Sequence, residues 1–174
     1  VLRYGDTSGY NGLAMITPLG ETAYRYEKTM SWYATTSDGV IDSVDTPYGQ
    51  IGAALCFDMD FPVLIRQAAR QGVDIMLVPA FDTYDTRTYH TEVGLLRGVE
   101  GVFSVMRMVN EGTSMAADYR GHVLAVQDFC TSPSRILIAD LPSQGVGTPY
   151  ALLGDWLAWL CIIYTVVMMF TSLY

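Results

Sequence analysis

Residues 50–57, QIGAALCF, and residues 74–80, DIMLVPA, are two nearly continuous apolar runs of strand length. Runs of this kind predict strands that are covered on both faces. Between them, Phe61-Pro62 predicts the start of a helix, because a proline in the first turn lacks only an N–H that would have no partner there. Gly72 is predicted to end that helix. The order strand, helix, strand predicts an α/β layered domain.

The segments on either side extend this pattern. Residues 11–17 and 22–28 predict two strands joined by a turn at 18–21, and the polar residues 29–48 predict a loop. Further along, the sequence predicts a helix over 89–100 and strands over 102–110, 114–118, 123–128 and 135–141. We therefore expect one domain over residues 1–141, followed by a Gly/Pro-rich linker over 142–155.

The last 19 residues, 156–174, carry no charge and read WLAWLCIIYTVVMMFTSLY. A helix of this length spans roughly 28 Å, close to the thickness of a hydrocarbon core. Trp156, Trp159 and Tyr174 stand where interfacial aromatic residues are common. The segment is predicted to be a transmembrane helix, and a buried core helix is the alternative. The absence of Lys and Arg beside it favours a non-cytoplasmic domain.

Composition excludes several classes of function. The net charge of −8 comes without a basic cluster, which argues against nucleic acid as a partner. Three cysteines without regular spacing, and two histidines 32 residues apart, predict neither a disulfide framework nor a metal site. No cofactor is expected. The chain opens on Val1 and has no signal peptide, so it is interpreted as a fragment or a processed product.

Cys56 is the first candidate for chemistry. It ends a predicted buried strand just before a turn and a helix, where the active residues of α/β sheets gather. Helix N–H groups near such a turn favour a thiolate, the nucleophilic form of cysteine. The alternative is an inert buried cysteine.

Lys28, the only lysine beside nine arginines, is the second candidate. Its compact ammonium group at a strand end can stabilise an oxyanion, although a solvated strand-end residue is the simpler interpretation. Asp58, Asp60 and Asp82 follow strand ends on the same side of the predicted sheet. They can position a substrate amine or cap helices and loops.

Several stretches together resemble the nitrilase, or carbon–nitrogen hydrolase, superfamily. Residues 49–58 with Phe61-Pro62 are similar to its nucleophile motif, and Tyr26-Glu27-Lys28 is similar to its lysine motif. Residues 97–100, 110–114 and 118–121 follow the later blocks of the family in order. The resemblance implies an α/β fold, a nitrilase-like αββα sandwich that is partial here, followed by the C-terminal transmembrane helix.

Within that superfamily, Thr148-Pro149-Tyr150 and Gly154-Asp155-Trp156 resemble the end of bacterial apolipoprotein N-acyltransferases. This branch implies a phospholipid acyl donor and a diacylglyceryl lipoprotein acceptor. It also implies a place in the bacterial inner (cell) membrane, with the catalytic domain on the periplasmic side.

The resemblance implies a role for each matching residue. Cys56 carries the acyl group as a thioester, and Lys28 and the backbone N–H of Phe57 stabilise the oxyanion. Asp58 and Asp82 are predicted to bind substrate from their positions after strand ends. The general-base glutamate of the family has no match in residues 1–27, so we expect it upstream of Val1 and expect this chain alone to be inactive. Two alternatives stay open: a membrane-anchored amidase of small amides, and a noncatalytic membrane-tethered binding domain.

Overall fold

The computed structural model describes residues 11–31, 37–143 and 147–171, and these form eight strands and four α-helices. The strands are β1 (Gly12–Ile16), β2 (Thr22–Glu27), β3 (Ser43–Thr46), β4 (Gly49–Ala53), β5 (Ile75–Phe81), β6 (Ser104–Asn110), β7 (Thr113–Ala117) and β8 (Val123–Asp128). The helices are α1 (Pro62–Arg70), α2 (Arg87–Gly101), α3 (Pro149–Leu153) and α4 (Trp156–Thr171). A short 3₁₀ helix covers Cys56–Asp60.

The strands form two sheets. A mixed six-stranded sheet has the order β3-β4-β5-β6-β7-β8, and β1 pairs with β2 in a separate antiparallel hairpin. The central strands β4, β5 and β6 are parallel, so their carboxyl ends share one edge of the sheet. The 3₁₀ helix begins three residues after β4 ends and is therefore held at that edge. The α/β part of the predicted fold is confirmed.

Helices α1 and α2 pack against each other, and α2 also lies on β6 and β7. Helix α1 buries Leu64, Ile65 and Ala68. Helix α2 approaches the sheet at Gly98, where a Cβ atom would stand 2.8 Å from the Cγ2 atom of Val105. A side chain at this position would push the helix away from the sheet, so glycine sets the depth of packing here.

The hairpin β1-β2 docks onto the large sheet through two buried tyrosines of β2. Tyr24 and Tyr26 are 6% and 3% exposed and belong to the main hydrophobic core. The Tyr24 hydroxyl donates to the carbonyl oxygen of Ala53 at 3.2 Å, which joins β2 to the end of β4. The middle of β2 is thereby attached to the large sheet.

Two strand predictions need correction. Part of the predicted loop 29–48 is β3, which pairs with β4 across a two-residue turn; its polar Ser43 and Asp45 conceal the strand pattern. The predicted strand over 135–141 is wrong, because the structure assigns no strand to these residues. Ile136 and Ile138 are 74% and 84% exposed, so the apolar alternation there is not buried by a neighbouring layer.

The segment predicted as a linker contains α3, which packs on α1 and α2. Its N-cap Thr148 accepts from the Ala151 N–H at 3.3 Å and donates to the Glu100 carbonyl at 2.9 Å. Ala151 is buried. Four parts of the predicted elements lie outside the described residues: 1–10 of the domain, 32–36 of the loop, 144–146 of the linker and 172–174 of the terminal helix.

The prediction of a transmembrane helix over 156–174 is wrong. Within the described ranges, no helix combines the length and the apolar character that crossing a membrane requires. Helix α4 has 16 described residues. Its side chains are uncharged and exposed along its described length.

Candidate active site

Cys56 lies at the first position of the 3₁₀ helix and has a left-handed backbone conformation, with φ at 49°. Few residues other than glycine adopt this conformation, and strain of this kind is found where surrounding structure enforces it, often at active sites. The thiol is partly exposed, and its Sγ atom donates to the Phe81 carbonyl oxygen at 3.5 Å. The turn therefore presents the sulfur atom at the carboxyl end of β5.

A cavity of about 220 Å³ brings Lys28 and Cys56 together. Its remaining lining is Asn11, Leu55, Pro79, Ala80 and Phe81. Lys28 follows β2, and its backbone N–H donates to the Asn11 carbonyl at 2.8 Å, which continues the β1-β2 pairing. We call this cavity the nucleophile pocket. Two of its lining residues, Lys28 and Cys56, lie 28 residues apart in the chain.

Phe57 follows the nucleophile in the first turn of the 3₁₀ helix. Its ring contacts the Phe61 ring edge-on at a centroid distance of 5.1 Å and the His90 ring at 6.2 Å. These contacts fix the residue whose backbone N–H is predicted to face the oxyanion. That role of the N–H stays a prediction.

Asp58 is fully buried and does not line the nucleophile pocket. Its Oδ2 atom accepts from the Tyr26 hydroxyl at 2.7 Å, and its Oδ1 atom accepts from the Met30 N–H at 2.7 Å. Burial raises the pKa of the Asp58 carboxyl above its ordinary value, and the Met30 N–H, the Tyr26 hydroxyl and the charge of Lys28 act against that rise. Both oxygens therefore bind the protein itself, while the predicted contact with substrate stays a prediction.

Asp82 is 2% exposed and is paired with an arginine in the sheet. Its two oxygens accept from the Nη1 and Nη2 atoms of Arg107 at 2.8 and 3.1 Å, a bidentate ion pair. The Nδ1 atom of His90 lies 3.0 Å from the Oδ1 atom of Asp82. Asp82 also lies outside the lining of the nucleophile pocket, and its predicted role in substrate binding stays a prediction.

His90 connects Asp82 to Asp60, whose Oδ2 atom lies 3.9 Å from the Nε2 atom of His90. Burial raises the pKa of the Asp60 carboxyl, and the positive charges of His90 and Arg107 oppose that rise. A chain of ionisable groups thus runs from the end of the 3₁₀ helix to the buried strand β6. Among the residues that the structure describes, no three His, Cys, Asp or Glu side chains are placed to hold a metal ion.

The sequence analysis did not predict three features of the site. These are the hydrogen bond of Tyr26 to Asp58, the ion pair of Arg107 with Asp82, and the position of His90 between Asp82 and Asp60. A signal for Arg107 was present, because a charged residue inside the apolar run 102–110 needs a buried partner. Tyr26 gave no such signal, since tyrosine is common in half-buried strands.

A larger cavity of about 790 Å³ adjoins the nucleophile pocket and shares residues 79–81 as a wall. It lies along β5, β6 and β7, with Met106, Met108, Phe129 and Leu137 among its apolar lining residues. None of the five predicted site residues lines it. Its lining also includes the polar residues Asn110, Gln127 and Arg135, so the cavity is apolar along only part of its wall.

This chain is similar to known proteins in family pattern, in sequence and in fold. The model of the carbon-nitrogen hydrolase family matches residues 2–149. A deaminated glutathione amidase from Synechocystis sp. is 28% identical over 148 residues, which cover 75% of this chain and 53% of that protein. An apolipoprotein N-acyltransferase from Geobacter metallireducens is 25% identical over 170 residues, covering 91% of this chain and 32% of that protein.

Among solved structures, a mutant amidase from Nesterenkonia sp. AN1 has a TM-score of 0.68 at 20% identity, covering 76% of this chain and 55% of that chain. In that crystal the acetamide moiety of fluoroacetamide is bound covalently to the active-site cysteine. This likeness concerns the fold. The chain spans about half the length of the amidases that it matches. It spans about a third of the length of the Geobacter acyltransferase.

Proposed function

Because the chain belongs to the carbon-nitrogen hydrolase family, we propose that Cys56 takes an acyl group as a thioester and that the protein passes this group to an amine. The observation that carries the proposal is the nucleophile pocket, which Cys56 and Lys28 both line. A nucleophile beside a cation is the arrangement that acyl transfer needs, because negative charge develops on the carbonyl oxygen during attack.

The reaction has two halves. The Cys56 thiolate attacks the carbonyl carbon, and the π electrons of the carbonyl move to oxygen, where Lys28 and the Phe57 N–H stabilise the charge. The tetrahedral adduct then expels the leaving group, which takes up a proton, and leaves a thioester. In the second half the acceptor amine attacks the thioester carbon, loses a proton to a base and releases the thiolate.

We propose a fatty-acyl phospholipid as donor and the N-terminal amine of a lipoprotein as acceptor. Two observations support this choice. The match to the Geobacter acyltransferase extends over 91% of this chain, whereas the match to the Synechocystis amidase covers 75%. The adjoining, partly apolar cavity of about 790 Å³ offers space for a long acyl chain. The location in the cell membrane and the periplasmic orientation of the domain stay predictions.

Hydrolysis of small amides is the second candidate, with water in place of the amine. The nucleophile pocket itself, at about 220 Å³, fits a small amide rather than a lipid. The amidase relatives support the same chemistry, and in the Nesterenkonia amidase a small amide reagent reacts with the cysteine.

Intact mass spectrometry after incubation with phospholipid tests the proposal, with the Cys56→Ala variant as the control. We expect a fatty-acyl mass increment that hydroxylamine removes and that the variant lacks, because hydroxylamine cleaves thioesters. Adding a lipoprotein peptide with a free N-terminal amine should discharge the adduct onto that amine.

Each other outcome has a meaning. An adduct formed from a small amide but not from phospholipid would favour the amidase. No adduct from either donor, in a protein that contains the expected general-base glutamate and is shown to be folded by circular dichroism, would contradict both candidates and leave the noncatalytic binding domain.

A further inference from the structure

We propose that Asp58 is a positioning residue, which fixes the backbone on both sides of Lys28 and so holds the lysine at the nucleophile pocket. The inference rests on the proposed function, because the position of Lys28 matters for the reaction only if its ammonium group stabilises the oxyanion. It differs from the sequence-based expectation that Asp58 binds substrate.

The geometry around Lys28 carries the proposal. Asp58 bonds to Tyr26 two residues before the lysine and to Met30 two residues after it, both at 2.7 Å. The Tyr26 hydroxyl also lies 3.2 Å from the Thr29 Oγ1 atom. A single carboxylate therefore ties the end of β2 and the following turn to the 3₁₀ helix that begins with Cys56.

The placement of Asp58 leaves it no direct access to a ligand. Its side chain is 0% exposed, and both of its oxygens have protein partners. It lies only two residues after the nucleophile, so any shift of the Lys28 segment relative to Cys56 must break one of its two bonds. Rigid attachment of this kind matters, because a displacement of about 1 Å can reduce a rate by about 10²-fold.

Charge adds to the attachment. Burial raises the pKa of the Asp58 carboxyl, and the two hydrogen bonds and the charge of Lys28 oppose that rise. When it is ionised, Asp58 also attracts the lysine towards the turn. We therefore expect replacement of Asp58 to change the position of Lys28 relative to Cys56.

The sequence supplies a matched pair of variants for the test. Tyr24 and Tyr26 are both buried in β2, stack at 6.5 Å, and each donates one buried hydrogen bond. Only Tyr26 bonds to Asp58. Tyr26→Phe therefore removes one attachment of the Lys28 segment, and Tyr24→Phe is the control. Asp58→Asn is the second variant, which keeps the shape of the side chain and removes its charge.

Two reagents distinguish oxyanion stabilisation by Lys28 from the intrinsic reactivity of the Cys56 thiol. A p-nitrophenyl ester acylates Cys56 through an oxyanion, whereas iodoacetamide alkylates it without one. We expect Tyr26→Phe and Asp58→Asn to lower the acylation rate at least about tenfold and to leave the alkylation rate within about twofold. Tyr24→Phe should leave both rates unchanged. In a Lys28→Met background, Tyr26→Phe should cause no further loss, because both changes act through the same ammonium group.

A second readout does not depend on acyl transfer. The chain contains one lysine, so protein labelled with ¹³C at the lysine ε-carbon gives one side-chain signal. That signal should shift or broaden in Tyr26→Phe and stay in place in Tyr24→Phe.

The outcomes of the two readouts can be distinguished. If the unmodified protein accepts no acyl group, the proposed function fails, and the lysine signal alone decides the positioning role. An unshifted signal in both Tyr26→Phe and Asp58→Asn would overturn it. So would equal acylation losses in the two tyrosine variants, or additive losses of Tyr26→Phe and Lys28→Met.

Discussion

At Cys56 the positive φ of 49° is enforced by the structure on both sides of one residue. The strand β4 leads into it, and the 3₁₀ helix leaves it with the Asp58 N–H bonded to the Leu55 carbonyl at 2.9 Å. For a residue with a Cβ atom, such a conformation is unfavourable by about 1–3 kcal/mol. The position is thus occupied by a strained residue in a place where glycine would be more stable.

The first prediction concerns that strain. Cys56→Gly should have a free energy of unfolding about 1 kcal/mol greater than Cys56→Ala, because glycine adopts positive φ without the clash of a Cβ atom. Urea denaturation of the two variants measures the difference. Both lack the thiol, so the comparison is independent of its chemistry. Equal stability of the two variants would show that the backbone at this turn is not strained.

A second prediction concerns the charge of Lys28. Lys28→Met should lower the rate of Cys56 acylation by p-nitrophenyl ester about 10²- to 10³-fold, the usual loss when one oxyanion donor is removed. Lys28→Arg keeps the charge but changes its shape, and should recover only part of the rate. Stopped-flow absorbance of p-nitrophenolate measures both. A rate for Lys28→Met within twofold of the unmodified protein would contradict the role of the ammonium group.

A third prediction concerns pH. Burial raises the pKa of Asp60 above its ordinary value, although His90, Arg107 and Arg97 oppose the rise. The folded state then binds more protons than the unfolded state at pH values just above about 4, so stability falls as pH rises through this range. The stability that protonated Asp60 contributes is fully present below the pKa of this carboxyl in the unfolded state. It is lost as the pH rises above the pKa of the carboxyl in the folded state.

The Asp60→Asn variant isolates this effect, because an amide does not titrate. The unfolding free energy of the unmodified protein, relative to that of the variant, should decrease between pH 3.5 and pH 7 in urea denaturation. Asp85, an exposed aspartate, provides the control variant Asp85→Asn. A relative stability that rises with pH would mean that the folded state lowers the pKa of Asp60.

At the scale of elements, a buried ion pair joins β6 to the loop after β5. Arg107 and Asp82 are 0% and 2% exposed, and Arg107 also lies 3.3 Å from the Thr91 hydroxyl of α2. Three elements therefore meet at one guanidinium group. Removing one partner of a buried pair leaves the other charge without compensation, which is more costly than loss of a surface pair.

The fourth prediction follows from this arrangement. Asp82→Asn should lower the free energy of unfolding by about 3–5 kcal/mol. Arg87→Met breaks the more exposed Arg87–Asp128 pair, with an N–O distance of 3.5 Å, and should lower the free energy of unfolding by much less than Asp82→Asn does. Urea denaturation of both variants gives the comparison. Similar losses in the two would show that burial does not strengthen the contribution of the Asp82–Arg107 pair.

The elements also show which parts of the fold a single sequence predicts. The strand, turn and helix around Cys56 were predictable because apolar runs, Pro62 and Gly72 all indicate the same structure locally. The strand β3 was not, because it depends on pairing with β4 rather than on its own apolar pattern. Residues 135–141 have the pattern of a strand but no pairing partner among the described residues, and a strand requires both.

In the site, too, local features were predictable from the sequence and contacts between distant segments were not. Sequence patterns identified Cys56 and Lys28, which the structure brings into one pocket. Patterns also placed Asp58 and Asp82 at strand ends, but could not reveal that protein donors already occupy their oxygens. The type and position of a residue are local properties, whereas burial and hydrogen-bond partners depend on contacts between distant segments.

At the scale of the whole molecule, the nucleophile pocket holds a nucleophile and a cation but no carboxylate among its described lining residues. Cleavage of an amide needs an acid that protonates the leaving amine, whereas p-nitrophenolate leaves without a proton. The fifth prediction is that the 174-residue chain alone is acylated on Cys56 by p-nitrophenyl ester but does not turn over simple amides. Mass spectrometry detects the adduct, and ammonia release measures turnover, with Cys56→Ala as the control. Ammonia release by the unmodified chain above the level of that control would show that residues 1–174 contain the proton-transfer group.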